Sequence, residues 1–379
     1  MTLQPDIDGL RADIEKSGVP IAALVQQLRE AVDGDAATYA HWGATTQDIM
    51  DTALVLQARA AFAIIEPALR DLIQALARMA NEHRQTLMAA RTHSQQALPM
   101  PFGLKVANWL APLLRHRERL AQLKPRLFVL QFGGAAGTLA ALGAQGPAVQ
   151  EALAAELDLG LPLTPWHTQR DNLGELASWL SLLTGSLGKM GQDVILMAQS
   201  EVGELRESDD ATRGGSSTMP QKHNPIMSEL IVAAARHNAS LLASMHQALL
   251  QEHERGTHGW QVEWLALPQM FALSAMSLNK ALFLAHNLVV DAGRMRQNVA
   301  ASQGVMLAEA AVYVLSPPMP RAEAKRIVRL CVQRAQEQGR HLVDVLQEQV
   351  KADINWQALH EEAYFGAAQT FIERVLRAV

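Results

Sequence analysis

The sequence predicts an all-α protein built on long, closely packed helices. Aromatic residues make up only 5% of the chain, while Ala and Leu are abundant, which favours close helix packing over sheet. Apolar residues recur with helical period over several stretches of more than about 25 residues, each roughly 38 Å long at 1.5 Å per residue. No stretch alternates apolar and polar residues as a half-buried strand would.

The elements follow in order. Residues 21–32 form a short amphipathic helix, and 48–84 a long one, with Pro67 marking a kink or restart. A polar break at 85–100 precedes a helix over 101–123. Residues 132–138 are a Gly/Ala loop; no Lys-Ser/Thr follows it, so it is not a phosphate loop. Helices follow over 147–157, 172–206, 225–252 and about 262–298. From about residue 300 the helices are shorter and are interrupted by Ser316-Pro317-Pro318-Met319-Pro320. Several long helices are apolar nearly all round, residues 176–198 among them. A helix of that kind is buried on all sides, which one small bundle cannot arrange, so the pattern implies oligomerisation.

Composition narrows the function classes. A 379-residue chain, 49% hydrophobic and 19% charged, can bury a large core. Its net charge of −5 predicts no nucleic-acid or membrane attraction. Cys331 is the one cysteine, so there is no internal disulfide, and a reducing, cytoplasmic setting is expected. The N-terminus has neither the basic region nor the apolar stretch of a signal peptide, and no apolar run reads as a membrane span. The histidines are scattered, and no Cys/His cluster has metal-ligand spacing.

Chemistry concentrates in four segments. The most informative is Gly214-Gly215-Ser216-Ser217-Thr218-Met219-Pro220-Gln221-Lys222-His223-Asn224-Pro225. Gly and Ser give a loop that bends sharply and exposes backbone N–H groups. Asn224 followed by Pro225 signals a helix start, so a donor-rich loop runs into the positive end of a helix with Lys222 just ahead. That suits an anion or a developing oxyanion. By composition alone, a solvated surface loop fits as well.

The other segments are His41-Trp42-Gly43-Ala44-Thr45-Thr46-Gln47-Asp48, Arg91-Thr92-His93-Ser94-Gln95, and Trp166-His167-Thr168-Gln169-Arg170-Asp171. Glu254, Arg255 and His258 lie near a helix end. Taken alone, the first reads as a helix cap, the second as a solvated histidine, the third as capping and surface ion pairing, and the last as a charged helix terminus.

Together these segments are similar to the fumarase/aspartase superfamily, which includes argininosuccinate lyase, adenylosuccinate lyase and 3-carboxy-cis,cis-muconate cycloisomerase. Every fixed position of its GSSxMPxKxNP signature is present. The resemblance implies that Ser216 is the base, that Lys222 and Asn224 hold a substrate carboxylate and the aci-carboxylate intermediate, and that Ser217 and Met219 contact substrate. Through the HxGATSQD-like segment it assigns His41, Thr45 and Thr46 to binding. Through the THxQ-like segment it assigns Thr92 and Gln95 to binding and His93 to acid or orienting duty, paired with Glu229. Taken alone, Glu229 reads as a favourable partner of the helix dipole. Gln169, Arg170 and Arg255 are expected to bind carboxylates, Arg doing so bidentately.

The segments at 131–143, 165–171 and 251–268 look most like bacterial 3-carboxy-cis,cis-muconate cycloisomerases. Many of those have Trp where this chain has His93, so the His–Glu pair of the eliminating lyases is kept here. Typical members also carry more helix ahead of the segment that begins here. The resemblance implies an N-terminal helical domain over 1–98, a central bundle over 99–298 and a C-terminal helical domain over 299–379. It further implies a cofactor-free enzyme acting on a small polycarboxylate, and a homotetramer with active sites shared between subunits. An adenylosuccinate-lyase-like eliminase, a sulfomuconate cycloisomerase and a non-catalytic relative remain as alternatives.

Overall fold

The structure is a computed structural model. It describes residues 3–208, 214, 215, 219 and 221–379. Among them, fourteen α-helices carry the fold: α1 (Ile7–Ser17), α2 (Ile21–Ala31), α3 (Ala36–Tyr39), α4 (Thr46–Glu82), α5 (Phe102–Leu127), α6 (Gly146–Leu157), α7 (Asp171–Met197), α8 (Ile226–Gln247), α9 (His258–Asn287), α10 (Ala292–Ala300), α11 (Ala308–Leu315), α12 (Arg321–Gln338), α13 (Leu342–Gln349) and α14 (Ala368–Leu376). The all-α expectation holds, and α4, at 37 residues, spans roughly 55 Å. It runs through Pro67 unbroken.

Three expectations are corrected. The polar break is a β-hairpin, β1 (Leu87–Thr92) paired antiparallel with β2 (Gln95–Pro101). A second small sheet pairs β3 (Leu205–Arg206) with β4 (Val289–Val290), which ends the helices expected to reach 206 and 298 at Met197 and Asn287. Finally, α4 does contain a stretch long and apolar enough by composition to cross a membrane, of which 33% is buried within the chain.

Packing divides the chain into two compact units. The first comprises Met1–Glu66, Glu118–Leu182 and His237–Leu273; the second Pro67–Arg117, Leu183–Arg236 and Ser274–Val379. In the first, Phe62 is the hub, its ring 5.5 Å from Trp179, 5.7 Å from Phe271 and 6.2 Å from Phe128. Such tilted and edge-on contacts add to the area that aromatic rings bury. In the second, His83, Phe102 and Trp109 stack edge to face at 5.4 and 5.9 Å. A separate core inside that unit gathers α11, α12 and α13 around buried Cys331, which packs there as a small apolar residue.

Candidate active site

In the second unit, the described ends of the signature segment, Gly214-Gly215 and His223-Asn224, are tied together in a neck. Asn224 N–H donates to the Gly214 carbonyl at 2.8 Å, and Gly215 bridges to His223. Gly214 sits at φ 67°, and a Cβ there would lie 2.4 Å from the Asn224 carbonyl oxygen, so only glycine fits. Lys222 and Met219 are exposed beside this neck, with Lys222 N–H donating to the Met219 carbonyl at 3.0 Å. Ser216 and Ser217 lie outside the described residues. A cavity of about 600 Å³ opens here, lined among others by Glu207, Gly214, Lys222, Asn224 and Asp291.

The helix N-terminus behind that neck differs from the sequence expectation. Helix α8 starts at Ile226, and its cap is the Glu207 carboxylate rather than the Asn224 side chain. Glu207 accepts from Met227 N–H at 3.0 Å, Ser228 N–H at 2.7 Å and Ser228 Oγ–H at 2.7 Å. The positive end of the helix thus already holds an anion from this chain. Asn224 and Lys222 remain on the cavity wall.

His93 and Ser94 form the two-residue turn of the hairpin, both at positive φ (48° and 63°), the geometry of the mirror-image turns that suit tight hairpins. The turn displays Thr92, His93 and Gln95 to solvent. Glu229 is exposed in the first turn of α8, and within one chain no ion pair joins it to His93. Just behind the turn, Arg91 makes a two-pronged ion pair with fully buried Glu204, at 2.8 and 2.7 Å.

The first unit gathers the remaining candidates around a buried polar cage. Asp48, in the first turn of α4, accepts from Thr45, Gly133 and Gly134 N–H groups, each at 2.9 Å, and meets His167 Nε2 at 2.7 Å. This fixes the loop that carries His41 and Thr45, with Thr46 opening the helix. Burial, helped by the Arg29 charge and opposed by Asp48, pushes the His41 pKa down, so it stands neutral at neutral pH. Arg255 donates to Gln47 Oε1 at 3.3 Å and to the Gly134 and Ala135 carbonyls at 3.1 and 2.7 Å. Gln169 is exposed and donates to Thr164 Oγ1 at 3.0 Å.

Arg170 corrects the sequence reading. Its side chain is buried, with one edge on Asp51 at 2.7 and 3.0 Å and the other on Glu263 at 2.8 and 2.5 Å. Asp51 also receives Trp260 Nε1–H at 3.0 Å and the Gln47 amide at 3.1 Å. Burial opposes the Arg170 charge, but its two carboxylate partners outweigh that and hold its pKa above the ordinary value. With two carboxylates on one guanidinium, burial pushes Glu263 up; Arg170 pulls it back, and Asp51 adds to the push. Both edges of Arg170 are committed, so a substrate carboxylate finds no free edge here.

Asp51, Glu263, Glu204 and Glu207 were not singled out from the sequence, and Asp48 and His167, inside two of its segments, were given no role. Asp51 and Glu263 carried a signal: acids set in apolar helical stretches must find a cation.

With this geometry in place, known proteins supply the family. A family model described as a lyase matches residues 17–237. The chain belongs to that lyase family, within the fumarase/aspartase superfamily. It is 46% identical over 366 residues to a 3-carboxy-cis,cis-muconate cycloisomerase from Pseudomonas aeruginosa, covering 95% of this chain and 80% of the relative. It is 40% identical over 368 residues to trans-aconitate decarboxylase 1 of Mycosarcoma maydis, covering 96% of this chain and 75% of the relative. The crystal structure of the 3-carboxy-cis,cis-muconate lactonizing enzyme from Pseudomonas putida superposes with a TM-score of 0.92 at 41% identity, covering 99% of this chain and 86% of that one. The family and the helical lyase fold expected from the signature residues are thereby borne out.

Proposed function

We propose that this lyase-family member is a cycloisomerase that converts 3-carboxy-cis,cis-muconate to 4-carboxymuconolactone, a step in aromatic catabolism. The observation that carries the reading is the 46% identity to a cycloisomerase across 95% of the chain, with the signature from Gly215 to Pro225 intact. One substrate carboxylate oxygen bonds to a carbon of the conjugated double bond in the same molecule. The electron pair moves onto a neighbouring carboxylate, giving an aci-carboxylate, and a proton then reaches the adjacent carbon. Such charge needs positioned donors, which Lys222, Asn224 and the loop N–H groups supply. Ser216 delivers the proton in this direction and removes it in the reverse.

Thr92, Gln95, Ser217 and Met219 bind substrate in this reading, as do His41, Thr45 and Thr46, with Gln169 and Arg255 at the edge of their group. Arg170 supports that group from beneath. The exposed His93 and Glu229 support a shared site, in which one chain's imidazole meets another chain's carboxylate. Exposed Leu182, Leu196, Leu230 and Leu265 on the long helices support the homotetramer through the central 99–298 segment. The single buried cysteine supports a cytoplasmic setting.

A second reading, a β-eliminating lyase, is favoured by His93 itself, which would protonate a leaving group. Absorbance assays with 3-carboxymuconate, adenylosuccinate and argininosuccinate separate the two. Turnover of carboxymuconate supports the cycloisomerase; turnover of either succinate adduct alone overturns it.

A further inference from the structure

The segment Glu204-Leu205-Arg206-Glu207 ties together the two pieces of the second unit that carry proposed site residues. The two glutamates flank β3 (Leu205–Arg206), one before it and one after it, and reach different partners. Glu204, fully buried, receives the Arg91 fork and, on Oε1, the Asn298 amide at 2.8 Å. Its own carbonyl accepts from Asp291 N–H at 3.0 Å, next to the β3–β4 pairing. Arg91 lies two residues before His93, at the base of a turn only two residues long. On the other side Glu207 holds Met227 and buried Ser228, and so the first turn of α8, where Glu229 sits and which Lys222 and Asn224 immediately precede. Buried Leu205 anchors the segment between them.

We propose that Glu204 and Glu207 are positioning residues for the reaction. Glu204 sets the hairpin that presents His93, and Glu207 sets the helix start that presents Lys222, Asn224 and Glu229. This rests on the site reading above. The physical case is that charge-assisted, two-pronged contacts fix direction as well as distance. Catalytic groups also lose rate steeply when displaced: a shift of about 1 Å can cost 10²-fold. Neither glutamate needs to touch the substrate.

The test is a set of double-mutant cycles on whichever of the assayed substrates the wild-type protein turns over. Glu204→Gln and Glu207→Gln are measured alone; then Glu204→Gln is combined with His93→Asn, and Glu207→Gln with Asn224→Ala. Glu207→Gln is expected to lower kcat by about 10- to 100-fold, and Glu204→Gln by no more than His93→Asn does, each with little change in KM. Each combination is expected to fall well short of additive, because both members act through one group. Arg91→Lys keeps the charge but loses the fork; it should couple to His93→Asn in the same way and serves if Glu204→Gln does not fold. Full additivity, or a lowered melting temperature with kcat intact, overturns the proposal and leaves the two glutamates as structural braces. A wild-type protein that turns over a succinate adduct but not carboxymuconate sinks the cycloisomerase reading while the cycles still decide this one. Hydrogen exchange supplies a readout free of substrate: Glu204→Gln should raise exchange across 87–101, and Glu207→Gln at 226–230. Unchanged exchange in both also overturns the proposal.

Discussion

Arg170 and Asp51 meet in a fork-to-fork ion pair at 2.7 and 3.0 Å, both side chains buried, with the opposite edge of the guanidinium closed by Glu263. A buried pair of this kind contributes little net stability, yet removing one member leaves uncompensated charge and costs about 3–5 kcal/mol. Arg170→Lys replaces a planar fork with a single ammonium that cannot serve two carboxylates. The expected result is a loss of that order in thermal or denaturant unfolding, with KM of the folded protein little changed. A raised KM at unchanged stability would return Arg170 to the substrate.

The same cage predicts a pH dependence. The folded state binds a proton at Glu263 more tightly than the unfolded chain does, because burial raises its pKa. Its contribution to stability is therefore fully present below the ordinary glutamate value, about 4.3, and is lost as pH rises through the raised folded value. Glu263→Gln keeps the shape and removes the titration. The melting temperature of the variant relative to wild type should climb as pH rises from that value. A difference that stays flat from acid to neutral pH contradicts the assignment.

Gly214 offers a sharp local test. Gly214→Ala puts a methyl 2.4 Å from a backbone oxygen at φ 67°, so the neck of the signature loop must open. The φ penalty alone is about 1–2 kcal/mol. Gly18→Ala carries a similar penalty at φ 79° with nothing within 4 Å, and serves as the control. Turnover should collapse in the first variant and persist in the second. Equal activity in both would mean that the neck does not set the position of Lys222 and Asn224.

Ser216→Ala and His93→Asn separate the two proton roles. Asn tolerates the positive φ of position 93, so the turn is preserved. Loss of the serine should cost about 10²–10⁴-fold in kcat. In a cycloisomerase the attacking group is already a carboxylate and no leaving group needs a proton, so His93→Asn should cost only about 10-fold, near 1.4 kcal/mol. In an eliminase expelling an amine, the same change should cost about 10²–10⁴-fold. Steady-state assays on carboxymuconate read both.

Light scattering at micromolar concentration should report a tetramer. A stable monomer would leave the exposed apolar side chains of Leu196, Leu230 and Leu265 facing water and would make a shared His93–Glu229 site impossible.

The long helices were legible because period and length are local properties: α4, α5, α7, α8 and α9 each carry an apolar pattern that no strand could use. The hairpin was not, because His93-Ser94 is not one of the glycine-bearing turns that announce a hairpin. Arg170 was recognised as a carboxylate binder; the sequence could not say whose carboxylate. Asp51 lies 119 positions away and Glu263 lies 93, and a substrate would offer the guanidinium the same two oxygens. Glu204 and Glu207 escaped notice for a related reason. Their acidity was visible, but a partner 113 residues away in Arg91, or a cap contributed from outside its own helix, leaves no pattern in spacing.

The three-way meeting at Arg170 also bears on the order in which the chain folds. Its members come from α4, from the residue just ahead of α7, and from α9, so the cage closes only when three distant helices have all arrived. Until then each charge keeps its water, since shedding it without a partner is costly. Such contacts contribute nothing to a nucleus made of local turns and early apolar encounters, and long loops must be closed before they are rewarded. The cage is therefore a late event, and the Asp48-anchored loop bearing His41 acquires its final shape near the end of folding.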